Sequence, residues 1–126
     1  MQNALRIAVA DSHAEYREAL SGLLTEYGFT VILTVPADPV LLLLIDPGNL
    51  PDILIISCTT IYPESIALIR ELKTSFPRMK ILANVVFIHY LPETGLIKEL
   101  VDGVMVKTAA EPAAIVKAIH KACGLL

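Results

Sequence analysis

The chain alternates short apolar runs with longer stretches whose apolar residues recur at every third or fourth position. The runs are Leu5–Ala10, Thr30–Val35, Ile53–Ser57, Ile81–Phe87 and Val104–Val106. They are continuous rather than alternating, the pattern of strands buried on both faces. Five helical patterns lie between and after them. In the first, Tyr16, Ala19, Leu20, Leu23, Leu24 and Tyr27 share one face, and Gly28 supplies a C-terminal cap. The third opens at Pro63, a favoured first-turn residue, and turns Ile66, Ile69, Leu72 and Phe76 inward. The fourth runs from Pro92 to Val101 and buries Ile97, Leu100 and Val101. The last opens at Glu111–Pro112 and buries Ile115, Val116, Ile119 and Cys123. Strand–helix alternation of this kind predicts a doubly wound α/β fold, a five-stranded parallel sheet with helices on both faces.

The second helix breaks the pattern. In ADPVLLLLIDPG, Pro39 marks its start and Pro47–Gly48 its end, and every residue from Val40 to Ile45 is apolar. At about 100° per residue, six such residues circle the axis more than once. A helix on a sheet buries only part of its circumference, so some of Leu41, Leu42, Leu43 and Leu44 are expected to face outward. That makes this segment a candidate surface for a partner or for self-association.

Composition narrows the classes. The 126 residues suffice for one domain with its own core, and no repeat or linker divides them, so residues 1–126 are expected to form a single domain. The chain is 55% hydrophobic, yet its longest uninterrupted apolar run is Val40–Ile45. A membrane helix needs roughly 20 residues, so the apolar excess belongs to the buried sheet. The N-terminus MQNALRIAVA lacks a basic segment followed by a long apolar one, so no secretory signal is expected. Cys58 and Cys123 suit a reducing, cytoplasmic setting. Net charge is −3 and the ten Lys and Arg residues are scattered, which argues against nucleic-acid binding by this domain.

In a doubly wound sheet, sites form at the carboxyl ends of the strands. Here those ends read Ala10-Asp11-Ser12-His13, Ser57-Cys58-Thr59 and Val106-Lys107-Thr108. The segment LRIAVADSHAEYREALSGLL resembles the opening of a bacterial response-regulator receiver domain, particularly receivers attached to two-helix DNA-binding domains. LPDILIIS resembles the third-strand segment of the same family, and VDGVMVKTAAEPAAIVKAI its fifth strand and last helix. The order and spacing of the three segments also fit, across essentially the whole chain. The resemblance implies a flavodoxin-like fold with five helices and strand order 2-1-3-4-5. It also implies the family's chemistry. Receivers hold magnesium in an acidic cluster and accept a phosphoryl group from a histidine kinase on one aspartate. A lysine pairs with the phosphate, and a Ser or Thr hydroxyl reports it.

Carried over position by position, the resemblance fails where the chemistry would occur. Of the acidic pair after the first strand, Asp11 is present but its neighbour is Ser12. The phosphoacceptor position is Ser57. The hydroxyl position after the fourth strand falls on Val85, or on Asn84 if the register slips by one. Lys107 keeps the lysine position, and Val104 stands where a switching aromatic often sits. The proline and glycine that follow a receiver's acceptor fall on Ile61 and Ser65, with a proline instead at Pro63.

A serine hydroxyl is a poor nucleophile without an adjacent base, and a hard cation needs several oxygen ligands. Asp11 and Lys107 are therefore expected to form an ion pair rather than a magnesium site, and no cofactor is expected. His13 is expected to cap or pack against the first helix. His89 and His120 are not placed with it, so no metal site is expected. Cys58 is expected in the core, with Thr59 and Thr60 in a loop. The sequence reads as a degenerate receiver, not an enzyme, that works by protein–protein contact without aspartyl phosphorylation. Its partners would be a histidine kinase, an attached effector domain, another signalling protein or a second copy. The family's interface of fourth helix, fifth strand and fifth helix, including Val104, is one surface; the apolar second helix is the other. Two rivals stand beside it: an active receiver with unconventional phosphoryl or metal chemistry, and an anion or small-ligand sensor in the vacated acidic pocket.

Overall fold

The computed structural model describes residues 5–58, 63–85, 98–107 and 111–125. The expectations for Thr59, Thr60, Ile61, Phe87, His89, Ile97 and Thr108 lie outside the described residues. The strands are β1 (Arg6–Ala10), β2 (Thr30–Val35), β3 (Ile53–Cys58), β4 (Lys80–Val85) and β5 (Gly103–Val106). They form one sheet in the order β2-β1-β3-β4-β5, with every neighbouring pair parallel. The helices are α1 (Ala14–Glu26), α2 (Leu41–Leu44), α3 (Pro63–Ser75), α4, described over 98–100, and α5 (Pro112–Ala122). This is the doubly wound parallel sheet that the alternating pattern predicts, in the flavodoxin-like strand order that the resemblance implies.

Alternation of side chains along each strand splits the core in two. Ile7, Val9, Ile53, Ile55, Leu82 and Met105 point to one face, where Leu20 and Leu24 of α1 and Ile115 and Ile119 of α5 cover them. Ala8, Ala10, Leu54, Ile56, Ile81 and Ala83 point to the other, against Leu41 of α2 and Ile66, Ile69 and Leu72 of α3. Leu100 and Val101 pack onto this second cluster. The central strands β1, β3 and β4 are buried along nearly their whole length, and the edge strand β2 exposes Thr30 and Thr34.

Three helices depart from their predicted form. Ala19 and Tyr27 are exposed rather than inward. Tyr27 is the residue at which α1 stops, and Gly28 takes a φ of 90° that ends the helix, a conformation glycine adopts without a Cβ clash. The second helix is one turn rather than a segment reaching Pro47. Asp46 precedes that proline and is extended, at φ −86° and ψ 115°, because the proline ring disfavours helical geometry in the residue before it. A four-residue helix does not stand by propensity. Leu41 and Ile45 hold it, both buried, each burial contributing roughly 2 kcal/mol. Asp38 steadies the turn that leads into it, its Oδ1 accepting the Val40 N–H at 2.9 Å. The described part of α4 ends at residue 100, and 101–102 bend.

Candidate functional site

Parallel order 2-1-3-4-5 sends the chain from β1 outward to β2 and then back across β1 to β3. The carboxyl ends of β1 and β3 therefore flank a crevice, the place where such sheets bind ligands. Asp11 stands two residues beyond Val9, Ser57 two beyond Ile55, Asn84 two beyond Leu82, and Lys107 two beyond Met105. By alternation all four point to the α1/α5 face, and register sets Ser57 opposite Asn84, and Asn84 opposite Met105. The result is a row of polar side chains across the carboxyl edge of four strands, above an apolar core.

The row closes on itself. Lys107 Nζ donates to Asp11 Oδ2 at 2.7 Å and to Ser57 Oγ at 3.2 Å. It also lies 4.2 Å from the centre of the Tyr16 ring, within the range of a cation–π contact. The other Asp11 oxygen, Oδ1, accepts the His13 N–H at 2.8 Å. Tyr16 reaches over from α1, and its hydroxyl accepts from Asn84 Nδ2 at 2.8 Å. Arg17 ties the loop down by donating to the Asp11 carbonyl at 2.6 Å. His13 caps α1 through Nδ1, which accepts the Tyr16 N–H at 3.2 Å.

Burial fixes the electrostatics. The Asp11 and Lys107 side chains are only 3% and 11% exposed. Two charges this sequestered persist because each neutralises the other and their remaining hydrogen-bonding capacity is met by neighbours. The Tyr16 hydroxyl is pushed above its ordinary range, first by burial; the Asn84 hydrogen bond opposes this and the Asp11 carboxylate adds to it. Asn84 is 1% exposed, and its Oδ1 has no hydrogen-bond partner among the described residues. Cys58, one residue past Ser57, points to the opposite face and is buried there, with its thiol pushed up to about 11 by desolvation. It is a core residue, not a nucleophile.

Of the residues chosen from sequence, the fold brings Asp11, Ser57 and Lys107 together. Ser12 is exposed and makes none of these contacts. Val85 is fully buried among the α2/α3 residues, in register with Cys58, so Asn84 is the β4 residue that joins the polar row. Tyr16, classed by periodicity as a core residue, is half core and half site. Its hydroxyl gives no periodic signal, whereas Asn84 was visible as the one polar residue within ILANVV. Among the surface candidates, Leu41 is fully buried and belongs to the core cluster on the α2/α3 face of the sheet. Leu42 and Val104 are partly buried, and Leu43 and Leu44 are exposed. Among the described residues no three His, Cys, Asp or Glu side chains are grouped to hold a metal.

The sheet order and the position of this edge are those of the flavodoxin-like fold, which response-regulator receiver domains share. A pilus assembly-related protein from Burkholderia pseudomallei K96243 superposes with a TM-score of 0.82 at 23% identity, over 99% of this chain and 93% of that one. A pilus assembly protein, cpaE, from Burkholderia thailandensis E264 gives 0.80 at 23% identity, over 95% and 98%. The RcsB response regulator of Salmonella typhimurium gives 0.77 at 21% identity, over 94% of this chain and 59% of that one. These likenesses establish the fold. No protein-family model and no curated protein matches the chain.

Proposed function

We propose that this chain is a receiver-like signalling domain that acts through contacts with other proteins and not through phosphorylation at position 57. The observation that carries the reading is the Lys107 ammonium, already held by Asp11 and Ser57. In a working receiver that end of the sheet needs several carboxylate oxygens for magnesium and a carboxylate to form an acyl phosphate. Here Asp11 is the one carboxylate in the polar row, and both of its oxygens have donors. A magnesium ion, which demands six oxygen ligands near octahedral geometry, does not fit this set. Ser57 Oγ faces a cation, and no base among the described residues contacts it to remove its proton.

The domain accordingly serves as a module rather than an enzyme, and its signalling state is set by what it binds. No helix among the described residues is long and apolar enough to cross a membrane. The deciding experiment exposes the chain to acetyl phosphate with and without magnesium and reads intact mass. The expected spectrum is unchanged. A magnesium-dependent gain of one phosphoryl group, removed by hydroxylamine or absent in Ser57→Ala, would overturn the proposal.

A further inference from the structure

We propose that the outer side of α2, with the groove it forms against α3, docks a cationic amphipathic helix of a partner protein. The proposal deepens the reading above and rests on it for the partner being a protein. Leu43 is 84% exposed, and Val40 and Leu44 are each more than 40% exposed. One exposed leucine needs no explanation. Val40 and Leu43, however, directly follow Pro39 and Leu42, which with Ala67, Leu68 and Glu71 line a groove of about 380 Å3, while Leu44 lines a separate hollow beside Leu33. Apolar surface thus continues from the helix into a concavity, the form that receives the apolar stripe of another helix.

The charges at its border choose the occupant. Glu71 lines the groove and Asp38 precedes the Pro39 that lines it, while Asp46, at the far end of α2, faces a separate hollow. The two aspartates serve only to accept the Val40 and Gly48 N–H groups, and none of the three carboxylates has an ion pair with a described residue. The cations of α3 and its exit lie elsewhere. Arg70 is about 100° around the helix from Glu71, Lys73 is held by Asp102 at 2.9 Å, and Arg78 lines a separate hollow with Pro47 and Leu50. A second copy docking through the same face would set these carboxylates against their own symmetry mates, which is repulsive. An anionic bilayer is repelled for the same reason. A helix with apolar residues at i, i+3, i+4 and i+7 and lysines or arginines at the borders satisfies both the groove and its rim.

The test uses the full chain, isotope-labelled for amide NMR, and two synthetic helices of about 15 residues. Both carry leucine at the four apolar positions; one is flanked by lysine and the other by glutamate. The lysine peptide is expected to shift amides at 38–46 and 67–71, and the glutamate peptide to leave them unmoved. Leu43→Ser and Glu71→Lys, both at exposed positions, are expected to weaken binding at least about tenfold. Shifts confined to another face, or undiminished binding by both variants, would overturn the proposal. So would a dimer in sedimentation equilibrium that Leu43→Ser disperses, or vesicle binding that it abolishes. A chain that takes up phosphate yet binds the peptide here refutes the inert-site reading alone. An inert chain that ignores the peptide refutes this one alone.

Discussion

Replacing Lys107 with methionine removes a buried cation while keeping most of the side chain's length. In the wild-type chain Asp11 is 2% exposed and its Oδ2 lies 2.7 Å from Lys107 Nζ. The substitution leaves that carboxylate in the same place with the His13 N–H as its one donor among the described residues. Breaking one side of a buried pair costs about 3–5 kcal/mol. The Tyr16 contact, worth about 1 kcal/mol, goes with it. Because the lysine end retains some solvent, we expect the lower part of that range, near 3 kcal/mol, for Lys107→Met. That is a large share of the roughly 5–15 kcal/mol by which domains are stable. The informative comparison is Asp11→Asn/Lys107→Met, which removes both charges. Asparagine can still accept the His13 N–H, so the double variant should be more stable than Lys107→Met despite carrying an extra substitution. Urea unfolding followed by far-ultraviolet circular dichroism measures the wild type, Lys107→Met, Asp11→Asn and the double variant, with the slope of the transition checked for constancy. If Lys107→Met costs under about 1 kcal/mol, or the two single effects simply add, the pair does not organise the site as argued.

Three further outcomes follow from the same geometry. Ser12→Asp/Ser57→Asp adds two carboxylates beside Asp11 and should confer magnesium-dependent thermal stabilisation, about 1.4 kcal/mol at ten times Kd, where the wild-type chain shows none; equal responses would refute the account of the missing ligands. Burial pushes the Cys58 thiol from 9.0 up to about 11, so the unfolded chain ionises first as pH rises. The stability this group contributes is complete below pH 9 and declines through about pH 11, at up to about 1.4 kcal/mol per unit; Cys58→Ala should flatten that decline in alkaline unfolding curves, and an unchanged slope would count against it. A methyl group at Gly103 would meet the Ala122 Cβ and Leu82 Cδ1, each at 3.2 Å, whereas one at Gly22 meets nothing within 4 Å. Gly103→Val should therefore cost about 1–3 kcal/mol, and Gly22→Ala, in the exposed interior of α1, should gain about 0.5–1 kcal/mol; thermal melts that reverse this ranking would show the packing of α5 on β5 misread.

Much of the fold is carried by local pattern. Continuous apolar runs separated by helical periodicity give five parallel strands and their covering helices, because a strand buried on both faces has no polar position to spare. Asp11, Ser57 and Lys107 were legible as strand-end residues for the same reason: a polar residue terminating an apolar run marks where the sheet meets solvent. What the sequence left open is direction and contact. VLLLLI is apolar all round, so its spacing could not say that Leu41 and Ile45 face the sheet while Leu43 faces out. The extended residue before Pro47 and the burial of Leu41 and Ile45 in the core on that face of the sheet decided that. Register placed Asn84, not Val85, beside Ser57, because a shift of one residue moves a side chain to the other face. The join of Tyr16 to Asn84, and of Lys107 to Asp11 across 96 residues of chain, exists only once the strands stand in order and α1 lies over their ends. Sequence proximity carries no information about contacts that sheet order creates.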